Sequence, residues 1–326
     1  MRKKLPIWSF VTGIILALLL GATIWAFFNQ QLITDFWRGK DYQPVGEMRR
    51  IQNDLKLTDR GTFLFKASRP RLSSRDEFNQ HCRQVLDTEM AVLGCYKDDD
   101  IFIYDIQSTE LDGIRELTTA HELLHAVWAR MSTDQRTALS SVLDKVLTQN
   151  HDTLQNEIDN YTPEQRQEEL FVRAGTEIAS LPAELEQVYG EIFTDQDIIA
   201  AFYHKYITVF RAIEAEMDAI KAEMTTLQTQ IDLSTADYQS KLSSLNSAIQ
   251  SFNRCAETAG CFTTETEFYT KRNSLMAERT TLEALYDEIN SLVGRYNALV
   301  EQYNADVTRT DQLNKTINSA SEIEGL

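Results

Sequence analysis

Histidine is scarce in this sequence, with five in 326 residues. Basic residues are outnumbered as well: 32 lysines and arginines face 49 aspartates and glutamates, a formal charge of −17. That balance argues against a nucleic-acid partner, because affinity for phosphate rests on a basic surface. Otherwise an acidic surface signals little beyond solubility. Cysteine is limited to four residues, Cys82, Cys95, Cys255 and Cys261. None stands in a CxxC arrangement, so cysteine-ligated zinc is not expected. Charge is missing altogether from Leu5 to Phe28.

That uncharged run follows Met1-Arg2-Lys3-Lys4 and is long enough, at about 1.5 Å per residue, to cross roughly 30 Å of hydrocarbon. Trp8 and Trp25 lie near its ends, where amphipathic rings favour the headgroup layer. A cleaved signal peptide is the competing reading, with a shorter apolar core and a small-x-small cleavage site. Ala22 and Ala26 are four residues apart, which fits that rule poorly. The expectation is an uncleaved anchor at 5–28 in contact with the lipid bilayer, with 1–4 as a basic cytoplasmic end. Three basic residues and the amino group precede the span, against Arg38 and Lys40 after it. By the positive-inside rule the chain crosses the plasma membrane once, N-terminus in the cytoplasm and body outside. Cys82 with Cys95, and Cys255 with Cys261, are close enough in sequence for two local disulfides, which suit an oxidising compartment. Four reduced thiols are the alternative.

The length suggests about two domains. Residues 29–60 read as a juxtamembrane connector with a polar helix near Met48 to Leu57. Residues 61–205 read as a mixed domain. In it Thr62 to Lys66 is expected to be a strand after the turn signal Asp59-Arg60-Gly61, and Ser73 to Val85 a short helix. Met90 to Tyr96 and Ile101 to Ile106 are β-rich runs expected to form a hairpin around Lys97-Asp98-Asp99-Asp100. Ile114, Leu117, His121, Leu124 and Trp128 share one face of a helix. Ser132-Thr133-Asp134 starts the next, to about Gln149. Thr162-Pro163-Glu164-Gln165 starts another with a capping box, and Pro182 ends it by Ser180. Residues 206–320 carry heptad seams, Phe210 to Ile231, resuming at Tyr238 to Phe252, and then Leu282 to Tyr303. The slip near Ser234 is a stutter. A glycine-containing turn between Cys255 and Cys261 makes this an antiparallel coiled-coil hairpin, about 80–90 Å long. Residues 321–326 are a tail. The expected class is α+β.

Two of the five histidines fall in His121-Glu122-Leu123-Leu124-His125. An i, i+4 pair places both imidazoles on one side of a helix, about 6 Å apart at the backbone. That spacing lets both reach one zinc ion (Zn2+) at about 2.0–2.1 Å. Glu122 lies about 100° around the helix, beside the metal, where it can act as general base toward a zinc-activated water. The flanks Thr118-Thr119-Ala120 and Ala126-Val127-Trp128 are uncharged, as a buried active-site helix requires. Two core histidines without metal would instead leave polar rings on an apolar stripe without named partners.

On this HExxH helix, with a predicted strand before it, the sequence resembles the zincin metallopeptidases, and more narrowly the gluzincins typified by thermolysin. The resemblance covers roughly residues 60–205. It implies hydrolysis of peptide bonds, a substrate-aligning strand at Ile101 to Ile106, and a third metal ligand, a glutamate on a downstream helix. Glu169 and Glu177 are the two candidates for that ligand. The family usually has an aspartate four residues after its ligand glutamate, whereas Arg173 stands there here. A transition-state donor is also implied, and Tyr161, Tyr189, Tyr203 and His204 are the candidates. The substrate is then a peptide or protein, or an amide in a cell-envelope polymer, and the hairpin positions the site or recruits a protein partner. A second reading, from another class, is a membrane-tethered coiled-coil scaffold whose zincin domain is inactive.

Overall fold

Helix dominates this chain. The computed structural model describes residues 7–86, 93–158 and 161–319. It divides into two units, Met1–Val209 with Asn314–Leu326, and Phe210–Leu313. The small sheet fits an α+β class, but three short strands stand among twelve helices in the described residues.

In the first unit, α1 (Ile7–Phe28) is long and apolar enough to cross a membrane, and none of its stretch Val11–Phe28 is buried inside the protein. α2 (Gln30–Lys40), α3 (Gly46–Asp54) and α4 (Asp59–Ala67) follow. Residues 29–60 are more than a connector, since Met48, Ile51 and Leu55 join the same buried cluster as Ile101, Leu124 and Phe171. The strand expected at Thr62 to Lys66 is instead part of α4. Thr58 caps that helix by accepting from the Gly61 N–H at 3.0 Å. Gly61, Leu64, Phe65 and Ala67 are its buried residues, and the steps of three and one from Gly61 to Phe65 are helical rather than alternating.

β1 (Arg71–Ser73), α5 (Arg75–Leu86), β2 (Gly94–Lys97) and β3 (Asp100–Tyr104) come next. The expected hairpin exists, with β2 antiparallel to β3 across Asp98 and Asp99, both at positive φ. Two such residues suit a two-residue hairpin turn, and aspartate tolerates this conformation better than most side chains do. The part expected at Met90 lies outside the described residues. β1 pairs parallel to β3, giving the order β1-β3-β2. Side chains alternate across β3. Ile101 and Ile103 face the main core, while Phe102 packs on the other side with Phe78, Cys82 and Cys95. The Cys82–Cys95 disulfide ties α5 to β2 there.

α6 (Ile114–Arg130), α7 (Thr133–Gln149), α8 (His151–Ile158), α9 (Pro163–Glu177) and α10 (Ala183–Gly190) complete the core. The expected capping boxes form at Ser132 with Gln135 and at Thr162 with Gln165. α9 stops at Glu177, three residues short of the expected Ser180, with Ile178 already extended.

The second unit is the greater part of two helices, α11 (Gln196–Glu257) and α12 (Glu265–Ile317). Glu223 meets Arg295, Tyr238 meets Tyr286 and Phe252 meets Phe268, so the helices run antiparallel as expected. Leu245, Leu275 and Leu282 are buried in the seam, and the Cys255–Cys261 disulfide closes the turn.

Candidate metal centre

Helix α6 starts at Gly113, whose φ of 95° only glycine adopts freely, and runs through the core with its flanks buried. Thr118, Thr119 and Ala120 are all buried, and the two threonine hydroxyls donate to the carbonyls of Ile114 and Arg115. α9 packs against α6 through Leu170, Phe171 and Ala174. The approach is close at Gly175, where a Cβ would lie 2.6 Å from Leu124 Cδ1 and 2.7 Å from the Tyr189 ring. Glycine at this position lets the two helices sit near enough for their polar side chains to meet.

Where they meet, one ligand atom each from His121, His125 and Glu169 lies within 4.8 Å of the others. His121 Nε2 is 3.8 Å from Glu169 Oε1, and His125 Nε2 is 3.6 Å from Glu169 Oε2. Both inner nitrogens therefore face one carboxylate. The Glu169 side chain is only 5% exposed, while the imidazoles keep 23% and 19% of their surface open. Of the two candidates for third ligand, the structure brings Glu169 to the histidines. Glu177 instead accepts from Arg173 at 2.9 Å.

Two partners of the site were not assigned from sequence. Glu168 lies 2.9 Å from His125 Nδ1. A carboxylate can only accept, so Nδ1 carries the hydrogen and Nε2 is left for a metal. Two adjacent glutamates at a helix turn were the only signal available for this role. Arg173, read as a departure, donates to Glu169 Oε1 at 2.7 Å and so spans both candidate glutamates. Four residues separate it from each, so all three sit on one side of α9.

Electrostatics follow from this packing. Burial drives the His121 imidazole down to about 3, with the neighbouring His125 and Arg173 pushing the same way against Glu169. Burial opposes the His125 cation too, but the Glu168 hydrogen bond and the nearby Glu122 and Glu169 charges prevail and raise it to about 9. Burial raises Glu169, yet His121, Arg173 and His125 outweigh it and keep that carboxylate ionised. A buried carboxylate flanked by imidazole nitrogens is a donor set of the kind zinc takes, two nitrogens and one oxygen. These three residues could hold a metal ion.

Glu122 is buried and lies against β2. A Cβ on Gly94 would fall 2.6 Å from both its Cγ and its Oε1. Glycine at 94 thus makes the space that the Glu122 side chain uses. β2 is an outer strand of the sheet, whereas β3, expected to align a substrate, has both sides occupied by β1 and β2. Tyr189 is fully buried and donates to the Phe171 carbonyl at 2.6 Å, which makes it a core residue rather than a donor to substrate. Tyr203 and His204 contact each other at 5.8 Å on α11, and Tyr161 immediately precedes the cap of α9. Comparison with protein-family models, with curated proteins and with solved structures finds no match for this chain.

Proposed function

We propose that this chain is a membrane-anchored zinc metallopeptidase, with His121, His125 and Glu169 holding the metal and Glu122 acting as general base. The observation that carries this reading is the convergence of those three ligand atoms within 4.8 Å beside a buried Glu122. Zinc, when bound, supplies Lewis acidity that polarises a carbonyl and makes water a nucleophile near neutral pH. The chain's own residues do the rest. Glu168 fixes the His125 ring through Nδ1, and Arg173 orients the Glu169 carboxylate and balances its charge. A Glu122 carboxylate oxygen takes the proton as water adds to the scissile carbonyl carbon, then returns it to the nitrogen as the C–N bond breaks.

α1 is taken as an uncleaved single span of the plasma membrane with the N-terminus inside. The two disulfides support an oxidising compartment for the body. The substrate class is peptide or protein, with an amide of an envelope polymer served by the same chemistry. An intact base argues against a tethered scaffold with a dead site, because a fold kept for structure alone has no use for Glu122.

The test is Glu122→Gln in the full chain, assayed on a proteome-derived peptide library alongside metal analysis. Wild type is expected to hold about one zinc per chain and to cleave. The variant should keep the metal and lose about 10²–10⁴-fold in rate. Equal cleavage by both would remove the proposed base, and a wild-type protein without tightly held metal would remove the centre.

A further inference from the structure

α2 presents two different faces. Inward, Asp35 is buried and takes both Arg130 nitrogens, Nε at 2.9 Å and Nη2 at 2.7 Å. Gln31 donates to the same carboxylate at 3.1 Å, Arg38 donates to the Ala67 carbonyl at 3.1 Å, and Gly39 lets α2 approach the α4 backbone closely. A buried bidentate pair of this kind fixes geometry at both ends. α2 is thereby fastened to the last turn of the helix that carries His121 and His125.

Outward, Leu32, Phe36 and Trp37 are 49%, 55% and 60% exposed. With about 100° per residue, Leu32, Phe36, Ile33 and Trp37 fall in an arc from roughly 60° to 200° around the helix from Asp35, with Lys40 inside it. Phe36 and Trp37 meet edge to face at 5.6 Å, and the Lys40 ammonium lies 4.9 Å from the centre of the Trp37 ring. A tryptophan capped by a lysine, beside leucine and phenylalanine, is the composition of a helix lying in a headgroup layer. Only Asn29, with φ of −119° and ψ of 29°, separates α2 from α1, and the stripe begins at Leu32, one helical turn past Phe28. The exposed Phe28 at the end of α1 continues the apolar surface into α2.

We propose that the outer face of α2 is seated in the headgroup layer of the membrane that α1 crosses, so that the body rests on the bilayer instead of hanging from a flexible stalk. The occupant is lipid because the stripe starts one helical turn past the apolar helix α1, on a helix joined to it through one residue, and carries its cation beside its largest ring. This inference rests on the reading of α1 as a membrane span and is independent of the hydrolytic reading. Its consequence is that the Arg130 end of α6 is held close to the bilayer surface. Asp35 is seven residues past Phe28, about 10 Å of helix, and it binds α6 directly.

The test uses the full chain in lipid nanodiscs, with a benzophenone-bearing phenylalanine analogue placed in turn at positions 15, 32, 34 and 36, and mass spectrometry of the photoproducts. Position 15 lies within α1, and position 34 is exposed on the flank of α2 away from the stripe. Lipid adducts at 32 and 36 within two- to three-fold of position 15, and at least five-fold above position 34, are expected. Lipid adducts at 15 without excess at 32 and 36 would overturn the seating while leaving the span intact. Absence of lipid at 15 would overturn the span and the seating together. Protein–protein adducts at 36 would assign the stripe to another chain and overturn the proposal.

Discussion

Two helix pairs dominate this protein, α6 with α9 and α11 with α12, and they are built on opposite terms. The facing side of the second pair is an apolar seam, and its cross-pair ion pair Glu223–Arg295 lies on the exposed flank. The first pair carries two imidazoles, four glutamates (Glu122, Glu168, Glu169 and Glu177) and an arginine beside a core of leucine and phenylalanine. Burial of polar groups costs free energy unless partners are supplied. The first pair supplies them from Glu168 and Arg173. A seam needs only its period, whereas a site needs neighbours from elsewhere in the fold, and that is why the candidate metal site lies in the first pair.

The largest break between them is expected from removing one carboxylate in each. Glu169→Ala should lower zinc affinity by at least 10²-fold, because a ligand is lost and Arg173 is left beside two histidines. Glu177→Ala should keep the metal within about ten-fold, as expected of a residue that touches Arg173 instead. Glu223→Ala in the hairpin should change thermal stability by less than about 0.5 kcal/mol, since its pair with Arg295 is solvated. Competition titration against a zinc chelator and thermal denaturation read these outcomes. Equal metal affinity in the Glu169 and Glu177 variants would mean that the third ligand lies elsewhere.

The disulfides give the next contrast. In the chain-entropy account, a 13-residue separation is worth about 3 kcal/mol and a six-residue one about 2.4 kcal/mol. Cys82 and Cys95 are also buried against Phe78 and Phe102, whereas the Cys255–Cys261 link closes an exposed turn. Cys82→Ala/Cys95→Ala should therefore destabilise by clearly more than Cys255→Ala/Cys261→Ala, with a cavity contribution of about 1–2 kcal/mol added to the first. Urea unfolding of the two variants measures the gap, and equal losses would show that loop closure alone is at work.

How far each pair was legible follows the same division. The hairpin could be read from heptad spacing and a glycine turn because its contacts are local or repeat along the helix. His121, Glu122 and His125 were legible because one helix places them together. Glu169 and Glu177 could not be separated from spacing, since both present carboxylates on one side of α9 and only tertiary packing selects between them. Glu168 was invisible as a partner because its role depends on where His125 arrives from another helix. Thr62 to Lys66 misled because a short aromatic and apolar run after a turn signal mimics a strand, while the Thr58 cap starts a helix there. β1 was missed because three residues, Arg71, Leu72 and Ser73, carry no period.

A smaller effect should come from Gly94→Ala. The new methyl would meet Glu122 Cγ and Oε1 at 2.6 Å and Thr118 Cγ2 at 2.7 Å, so the proposed base must shift, whereas none of the proposed ligands is among the atoms it meets. A displacement of this size in a positioned group is expected to lower kcat about 10–10²-fold, with metal content unchanged. A fall in zinc binding of the same size would instead mean that the whole of α6 has moved.

The smallest effect is one proton. Without metal, His125 is raised to about 9 in the folded chain against an unfolded value near 6.5, so the stability it contributes is present below about 6.5 and is lost as pH rises toward 9. His121 runs the other way. Its folded value near 3 means that stability falls as pH drops from about 6.5, because the unfolded chain takes up a proton that the folded chain refuses. Metal-free protein should therefore show a local stability maximum near pH 6.5 from this pair. Between about pH 7 and 8 the folded metal-free chain still holds the His125 proton, and a metal requires that imidazole neutral at Nε2. With Glu168 keeping the hydrogen on Nδ1, zinc uptake at pH 7.5 should release close to one proton per chain, a stoichiometry obtained by calorimetry in buffers of different ionisation enthalpy. Glu168→Gln removes the carboxylate that holds the proton in place, so the release should drop well below one while zinc binding weakens about 10–100-fold. Unchanged release in that variant would show that the proton comes from somewhere other than His125.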